Sequence, residues 1–419
     1  MSFPRYPKYK PSGVGWLGDV PDNWDVCALK RIVSLKSGDA ITADSIRESG
    51  EFPVFGGNGV RGYTSRFTHD GHYAVVGRQG ALCGNINYAR GRFWASEHAV
   101  VAVPLKLVAI VWLGEMLRAM NLNQHSVSAA QPGLSMEFVG NLRTIMPPIS
   151  DQKAISAFLG RETAKIDELV AEQRRLIELL KEKRQAVISR VVTKGLNSDA
   201  PLKPAGIEWL GDVPEHWKTT RIANLFREST ELGSDELPIL RVSIHDGVSD
   251  KEIADEDLDR KITRSDDRSK YKKVRPNDLV YNMMRAWQGA FGNVKVHGMV
   301  SPAYIVARPR RPVSTQYVEH LLRTPQAVEQ VRRQSRGITD FRLRLYWDEF
   351  KNIRIPVPPH EEAVAICESI REMDANFDAL TAEAERAIEL LQERRNALIS
   401  AAVTGKIDVR GLTMANEGP

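Results

Sequence analysis

The sequence predicts two α/β (α+β) modules separated by two long antiparallel coiled-coil helices, arranged as a pseudo-twofold internal repeat. Three observations predict it. Residues 16–24 read WLGDVPDNW and residues 209–217 read WLGDVPEHW, seven of nine positions identical at an offset of 193. Residues 171–196 and 382–407 share 14 of 26 positions at a constant offset of 211. Between these edges the two middles have almost no sequence in common. Like edges around unlike middles describe one scaffold that carries two different specificities.

A chain of 419 residues is long enough for two such units, each with its own core. Cys27, Cys83 and Cys367 lie far apart, in the spacing of neither a disulfide framework nor a zinc site, which fits a reducing cytosol. The longest apolar run, near 107–117, is too short for a membrane span, and the opening MSFPRYPKYK lacks the apolar core of a signal peptide. A cytoplasmic protein without membrane attachment is expected. Net charge is +4 over residues 1–150 and +4 over 195–359, mild excesses that suit a polyanionic partner. The helical segments differ in sign, +3 for 151–194 and −5 for 360–406, so they suit each other.

The helices are read from spacing. Ile166, Leu169, Leu176, Leu180, Val187 and Val191 step by three, four or seven, and Phe377, Leu380, Ala387, Leu391, Leu398 and Ala402 repeat the pattern. Such spacing places an apolar stripe on one helical face. Ser150, after Pro147 and Pro148, is the expected N-cap, and Gly195 and Gly405 stand where the helices should stop. Each helix then runs about 44 residues, roughly 65 Å. A lone amphipathic rod of that length leaves its seam exposed, so each helix needs a partner.

In the first middle, 72–78 and 93–103 read as strands and 108–120 as a helix; in the second, 237–244, 278–284 and 303–307 read as strands and 316–334 as a helix. Three loops carry candidate chemistry. PVFGGNGVRGYTS, 53–65, has glycines spaced like a cofactor loop, but turn and strand residues follow it where a helix should open. It is better read as a tight loop presenting Asn58 and Arg61. GRQGALCGN, 77–85, and MRAWQGAFGN, 284–293, each follow a strand and carry an Arg and a Gln, side chains able to bond guanine and adenine edges in a major groove. Ser96, Glu97 and His98 would alternate faces of a strand, so a catalytic triad is rejected. A basic run at 264–278 and the cluster Arg332, Arg333, Arg336, Arg342 and Arg344 are candidates for phosphate contact. No methyltransferase motif, phosphate loop or nuclease-like carboxylate pattern is present.

Taken together, the WLGDVP edges, the loop PVFGGNGVRGYT, the approaches NLRTIMPPISDQ and NIRIPVPPHEEA, and the closing IELLKEKRQAVISRVVTKG and IELLQERRNALISAAVTG resemble the specificity subunits of type I restriction-modification systems over residues 6–408. One departure is Glu361-Glu362-Ala363, where family members often have a Glu-Gln pair. The resemblance implies a non-catalytic subunit that binds double-stranded DNA, two methyltransferase subunits and two motor-nuclease restriction subunits. S-adenosylmethionine, ATP and Mg would belong to those partners, leaving no cofactor and no metal in this chain. It implies target recognition domains at 1–149 and 196–359, spacer helices at 150–195 and 360–408 that act as a ruler, and a tail at 409–419. Expected DNA contacts are Asn58, Arg61, Arg78 and Gln79 in the first domain and Arg285, Trp287 and Gln288 in the second. Expected partner contacts are Arg175, Glu178, Arg184, Arg386, Glu389 and Arg395, which match between copies. The alternative is a coiled-coil protein–protein adaptor without DNA specificity.

Overall fold

A computed structural model describes residues 3–80, 82–126, 133–234, 236–243, 247–249, 268–337 and 343–412. Residues 1–174 with 385–419 form one compact unit, and 175–384 form a second.

In the first unit β1 (Tyr9–Pro11) pairs with β2 (Asp19–Pro21), which carries the end of WLGDVP. β3 (Asp25–Ala28) waits more than a hundred residues for its antiparallel partner. The main sheet is built from β4 (Val33–Ser37), β5 (Phe52–Gly56), β6 (Gly59–Thr64), β7 (His69–Gly77), β8 (Ile86–Ala95) and β9 (Ala99–Pro104). Their order is β4-β9-β7-β8-β5-β6. Helix α1 (Ile110–Ala119) covers β7 and β8, burying Trp112, Leu113, Met116 and Leu117. Short α2 (Met136–Asn141), capped by Ser135, leads into β10 (Arg143–Met146), which closes on β3. α3 (Ile149–Lys194) follows directly.

The second unit repeats this order. β11 (Leu202–Pro204) pairs with β12 (Asp212–Pro214), and β13 (Lys218–Arg221) is followed by β14 (Phe226–Glu228). Next come β15 (Val242–Ser243), β16 (Gly247–Val248), β17 (Lys272–Val274), β18 (Leu279–Asn282), β19 (Phe291–Asn293), β20 (Gly298–Val300) and β21 (Tyr304–Pro309). Helices α4 (Thr315–Leu322), α5 (Pro325–Gln334) and α6 (Trp347–Phe350) precede β22 (Arg354–Val357), which pairs with β13. α7 (His360–Val403) closes the series. The second main sheet, β14-β21-β18-β19, has the neighbours and antiparallel senses of β4-β9-β7-β8. The unlike middles therefore share a four-stranded frame that their sequences conceal.

Four expectations are corrected. Residues 93–103 are not one strand: a turn at 96–98 separates β8 from β9, with Ala99 N–H bonded to Ser96 O at 2.9 Å. Residues 316–334 are two helices, because Pro325 cannot continue the first and starts the second, with Thr324 as its N-cap. In 237–244 only Val242–Ser243 is strand, and Ile244 lies outside the described residues. Ser150 sits inside the first turn of α3, so it is no N-cap.

Within the first unit the opening of α3 (Ile155, Phe158, Leu159, Ile166) and the close of α7 (Leu398, Ile399, Ala402, Val403) share one core. Within the second, Val191 and Val192 meet Ala363, Ile366, Cys367 and Ile370. The helices thus run antiparallel in each unit. Gly195 and Gly405 end them in the left-handed conformation, at φ 76° and 75°. The middle of the predicted stripe is not seam: Leu169, Leu176 and Leu380 are exposed, as are Leu179 and Leu390.

Candidate nucleic-acid interface

In the first unit the structure brings Asn58, Arg78 and Gln79 to one edge of the sheet. β5 and β6 form a hairpin whose two-residue turn is Gly57-Asn58, and the loop joining β7 to β8 lies against it. The contact needs glycine at 77, where a Cβ would fall 2.2 Å from the Gly57 carbonyl oxygen, and is tight at 57, where one would fall 3.1 Å from that of Gln79. Asn85 donates its amide N–H to Asn58 Oδ1, tying the loops together. Arg78 N–H donates to His98 O at 2.9 Å, and Arg78 O accepts from Leu134 N–H at 3.0 Å. Gln79 and Asn58 remain exposed, as does Arg61 on β6. Arg78 is only half exposed, and its guanidinium donates to Ser37 Oγ at 3.0 Å. Asn85 and His98, which the sequence reading did not select, belong to the same edge. The Gly-Asn ending shared by both loops was the available signal for Asn85.

In the second unit the corresponding loop links β18 to β19. Residues 286–288 make a 3₁₀ turn that packs on α5, ended by Gly289 at φ 88°. Arg285 and Gln288 project outward. Trp287 does not: its ring packs on the core and its indole N–H donates to Met284 O at 3.0 Å, so it holds the loop's shape. Beside the loop a cleft of about 920 Å³ is lined by Met284, Arg336, Arg344, Tyr346 and Glu349 among others. Arg336 and Arg344 exchange backbone hydrogen bonds at 2.9 Å, and Leu345 N–H donates to Met283 O at 2.9 Å. The segment before β22 thus sits beside this loop as the segment before β10 sits beside Arg78. Tyr346 escaped sequence reasoning, since the adjacent pair Tyr346-Trp347 after RLRL has no periodic signature.

Much of the suspected phosphate-binding charge is internally committed. Glu231 accepts from Arg275 at 2.8 Å and from Arg308 at 2.7 Å, and lies 3.3 Å from Lys273 Nζ. These hydrogen bonds hold its carboxyl down at about 2. Arg308 also bonds the buried Asp278. Lys272 is half-buried, its ammonium donating to Tyr304 O, and burial lowers its pKa. Arg333 pairs with Glu329 on α5. Residues 264–267 and Arg342 lie outside the described residues.

Two of the expected partner residues also bond between the helices. Arg184 bonds Asp374 at 2.8 Å and Asp378 at 2.7 Å, so it joins α3 to α7 inside the second unit. Arg395 stands 3.2 Å from Asp167 and does the same in the first. Arg175, Glu178, Arg386 and Glu389 are exposed. Among the described residues no cluster of His, Cys, Asp and Glu could hold a metal ion, and no helix is long and apolar enough to cross a membrane.

Two modules share a four-stranded frame, and each exposes a different polar loop at the same place in it, the pattern of a duplicated protein. Residues 21–179 match the family model "Type I restriction modification DNA specificity domain". The chain is similar to the Escherichia coli type I restriction enzyme EcoprrI specificity subunit, 43% identical over 32% of this chain and 34% of that one. It is similar also to the E. coli EcoBI specificity subunit, 26% identical over 70% of this chain and 63% of the other. Each of these matches thus spans less than two thirds of the relative. The Methanocaldococcus jannaschii MjaVIII specificity subunit is 20% identical over 94% of this chain and 95% of its own. A solved structure of a type I restriction-modification system shares the fold at TM-score 0.61 and 15% identity, covering 92% of this chain and 98% of that one. The HsdS subunit from Thermoanaerobacter tengcongensis gives TM-score 0.50 at 15% identity, over 93% and 98% of the two chains. Residues 21–179 thus match a type I restriction-modification DNA specificity domain, and the chain is similar along most of its length to specificity subunits of such systems.

Proposed function

We propose that this protein is the DNA-reading, non-catalytic subunit of a type I restriction-modification complex, recognising an asymmetric two-part site in double-stranded DNA. The supporting observation is the pair of loops at 77–85 and 284–293: the same place in the same four-stranded frame, with different side chains exposed. In the functional partition, 1–149 and 196–359 are the recognition domains, 150–195 and 360–408 the spacer helices, and 409–419 the tail. Asn58, Arg61, Gln79 and Arg78 serve one half-site and Arg285 and Gln288 the other, with Arg344 and Tyr346 added beside them. The complex contains two methyltransferase and two motor-nuclease subunits, in the cytoplasm, and the cofactors S-adenosylmethionine, ATP and Mg bind to those partners. Arg175, Glu178, Arg386 and Glu389 meet the methyltransferase subunits, together with exposed leucines of the helices.

The test is to co-express the chain with its neighbouring methyltransferase subunit and map N6-methyladenine by single-molecule sequencing. A split asymmetric motif that appears only with this chain is the expected result. An assembled complex with no chain-dependent methylation would favour the protein–protein adaptor.

A further inference from the structure

One buried position that differs between the two units lies beside a cavity. In the first unit Gln152 is fully buried; its Oε1 accepts from Ala109 N–H at 2.9 Å and its Nε2 donates to Pro147 O at 2.8 Å. It thereby plugs the gap between the start of α1 and the start of α3. At the helix offset of 211, Gln152 corresponds to Ala363 and Pro147 to Pro358. Matching registers, Val33 with Pro104 and Phe226 with Pro309, set Ala109 against Ser314. Ala363, Pro358 and Ser314 all line one cavity of about 580 Å³ in the second unit. The space where Gln152 would lie is therefore open.

The charge at this place also changes between copies. Lys218 lines the cavity where the first unit has Asp25, and Arg311 lines it where the first has Lys106. His360 adds a third nitrogen group. The nearby acid, Glu362, is already bonded by the Trp217 indole at 3.0 Å and by His216 at 2.7 Å. Leu225, Pro312 and Val357 supply apolar wall. Apolar walls with a few convergent polar groups are the usual make-up of a small-molecule site.

We propose that this cavity binds a small phosphate-bearing ligand, its anionic group among Lys218, Arg311 and His360 and its body against the apolar wall. Guanidinium and ammonium groups bond phosphate oxygens strongly. The proposal does not depend on the DNA-reading loops.

The experiment is calorimetric titration of the full chain with adenosine 5′-monophosphate, inorganic phosphate and adenosine. Saturable binding of the monophosphate, with adenosine much weaker, is expected. Ala363→Gln should refill the gap and weaken binding by about tenfold or more while melting no lower than the parent, and Lys218→Ala/Arg311→Ala should weaken it similarly. Competition with duplex DNA separates two sources of phosphate: displacement assigns the site to a backbone phosphate, and its absence assigns it to a free ligand. The proposal fails if neither phosphate probe binds, or if binding is unchanged in Ala363→Gln and in the double alanine variant.

Discussion

Trp24 donates its indole N–H to Asp151 at 3.0 Å, and Trp217 donates to Glu362 at the same distance. Each tryptophan ends a WLGDVP edge and each acid stands in the first turn of a long helix, so in both copies this edge touches the start of the helix. The same contact therefore recurs in both copies between segments that the copies share. It fixes where each helix leaves its module, and the carboxylate in a first helical turn also complements the helix dipole.

That contact should be energetically coupled. Hydrogen bonds to a charged acceptor are worth about 1.5–3 kcal/mol, and Asp151 is almost wholly buried. Trp24→Phe and Asp151→Asn should each lower the melting temperature, and the double variant should cost less than the sum of the two. Strict additivity in a denaturation cycle would mean that the bond carries no net stability.

On the proposed function, the exposed loop residues should separate the two halves of the DNA site. Removing a bidentate contact to a base costs about 1–3 kcal/mol of discrimination. Arg285→Ala and Gln288→Ala should therefore relax the methylated motif in one half only, and Asn58→Ala and Gln79→Ala in the other. Trp287→Phe, which loses the indole bond to Met284 O that shapes this loop, should affect only the half read by Arg285 and Gln288. A methylome in which either set altered both halves would exclude modular reading.

The sequence made the helices, their C-terminal ends and the duplicated edges legible because these are local or periodic. Gly195 and Gly405 can be read as stops from composition alone, and the observed left-handed φ values show why. Strand pairings such as β3 with β10 were not legible, since partners more than a hundred residues apart leave no local signal. The site was partly legible: Gly-rich loops marked the sheet edge, but the sequence could not show that Trp287 turns inward or that Glu231 gathers the basic run. Periodicity over-read the stripe, because spacing finds an apolar face without showing what covers it. Leu176 and Leu380 satisfy the spacing and remain exposed.

Partner docking should follow the exposed leucines more than the charge pairs. Arg184 is held by two aspartates and about a third exposed, so Arg184→Ala should cost stability modestly, about 1 kcal/mol or less. It should leave co-purification with the methyltransferase subunit unchanged. Leu176→Asp with Leu179→Asp places charge on an exposed apolar face and should abolish co-purification while the free chain keeps its melting temperature. Retained assembly in that variant would move the docking surface away from this face.

Acid sensitivity should trace to Glu231. Its folded pKa is depressed to about 2, first by Arg308 and then by Arg275, against about 4.3 for an unfolded glutamate. The folded state therefore prefers the ionised form, and the resulting stability is present above the unfolded value and lost as pH falls toward 2. The melting-temperature difference between the parent and Glu231→Gln should be constant above about pH 5.5 and shrink between about pH 4.5 and 2. A difference that persisted undiminished to the lowest pH would show that the variant acts through lost packing rather than lost charge, and would remove Glu231 as the anchor of the basic strands around it.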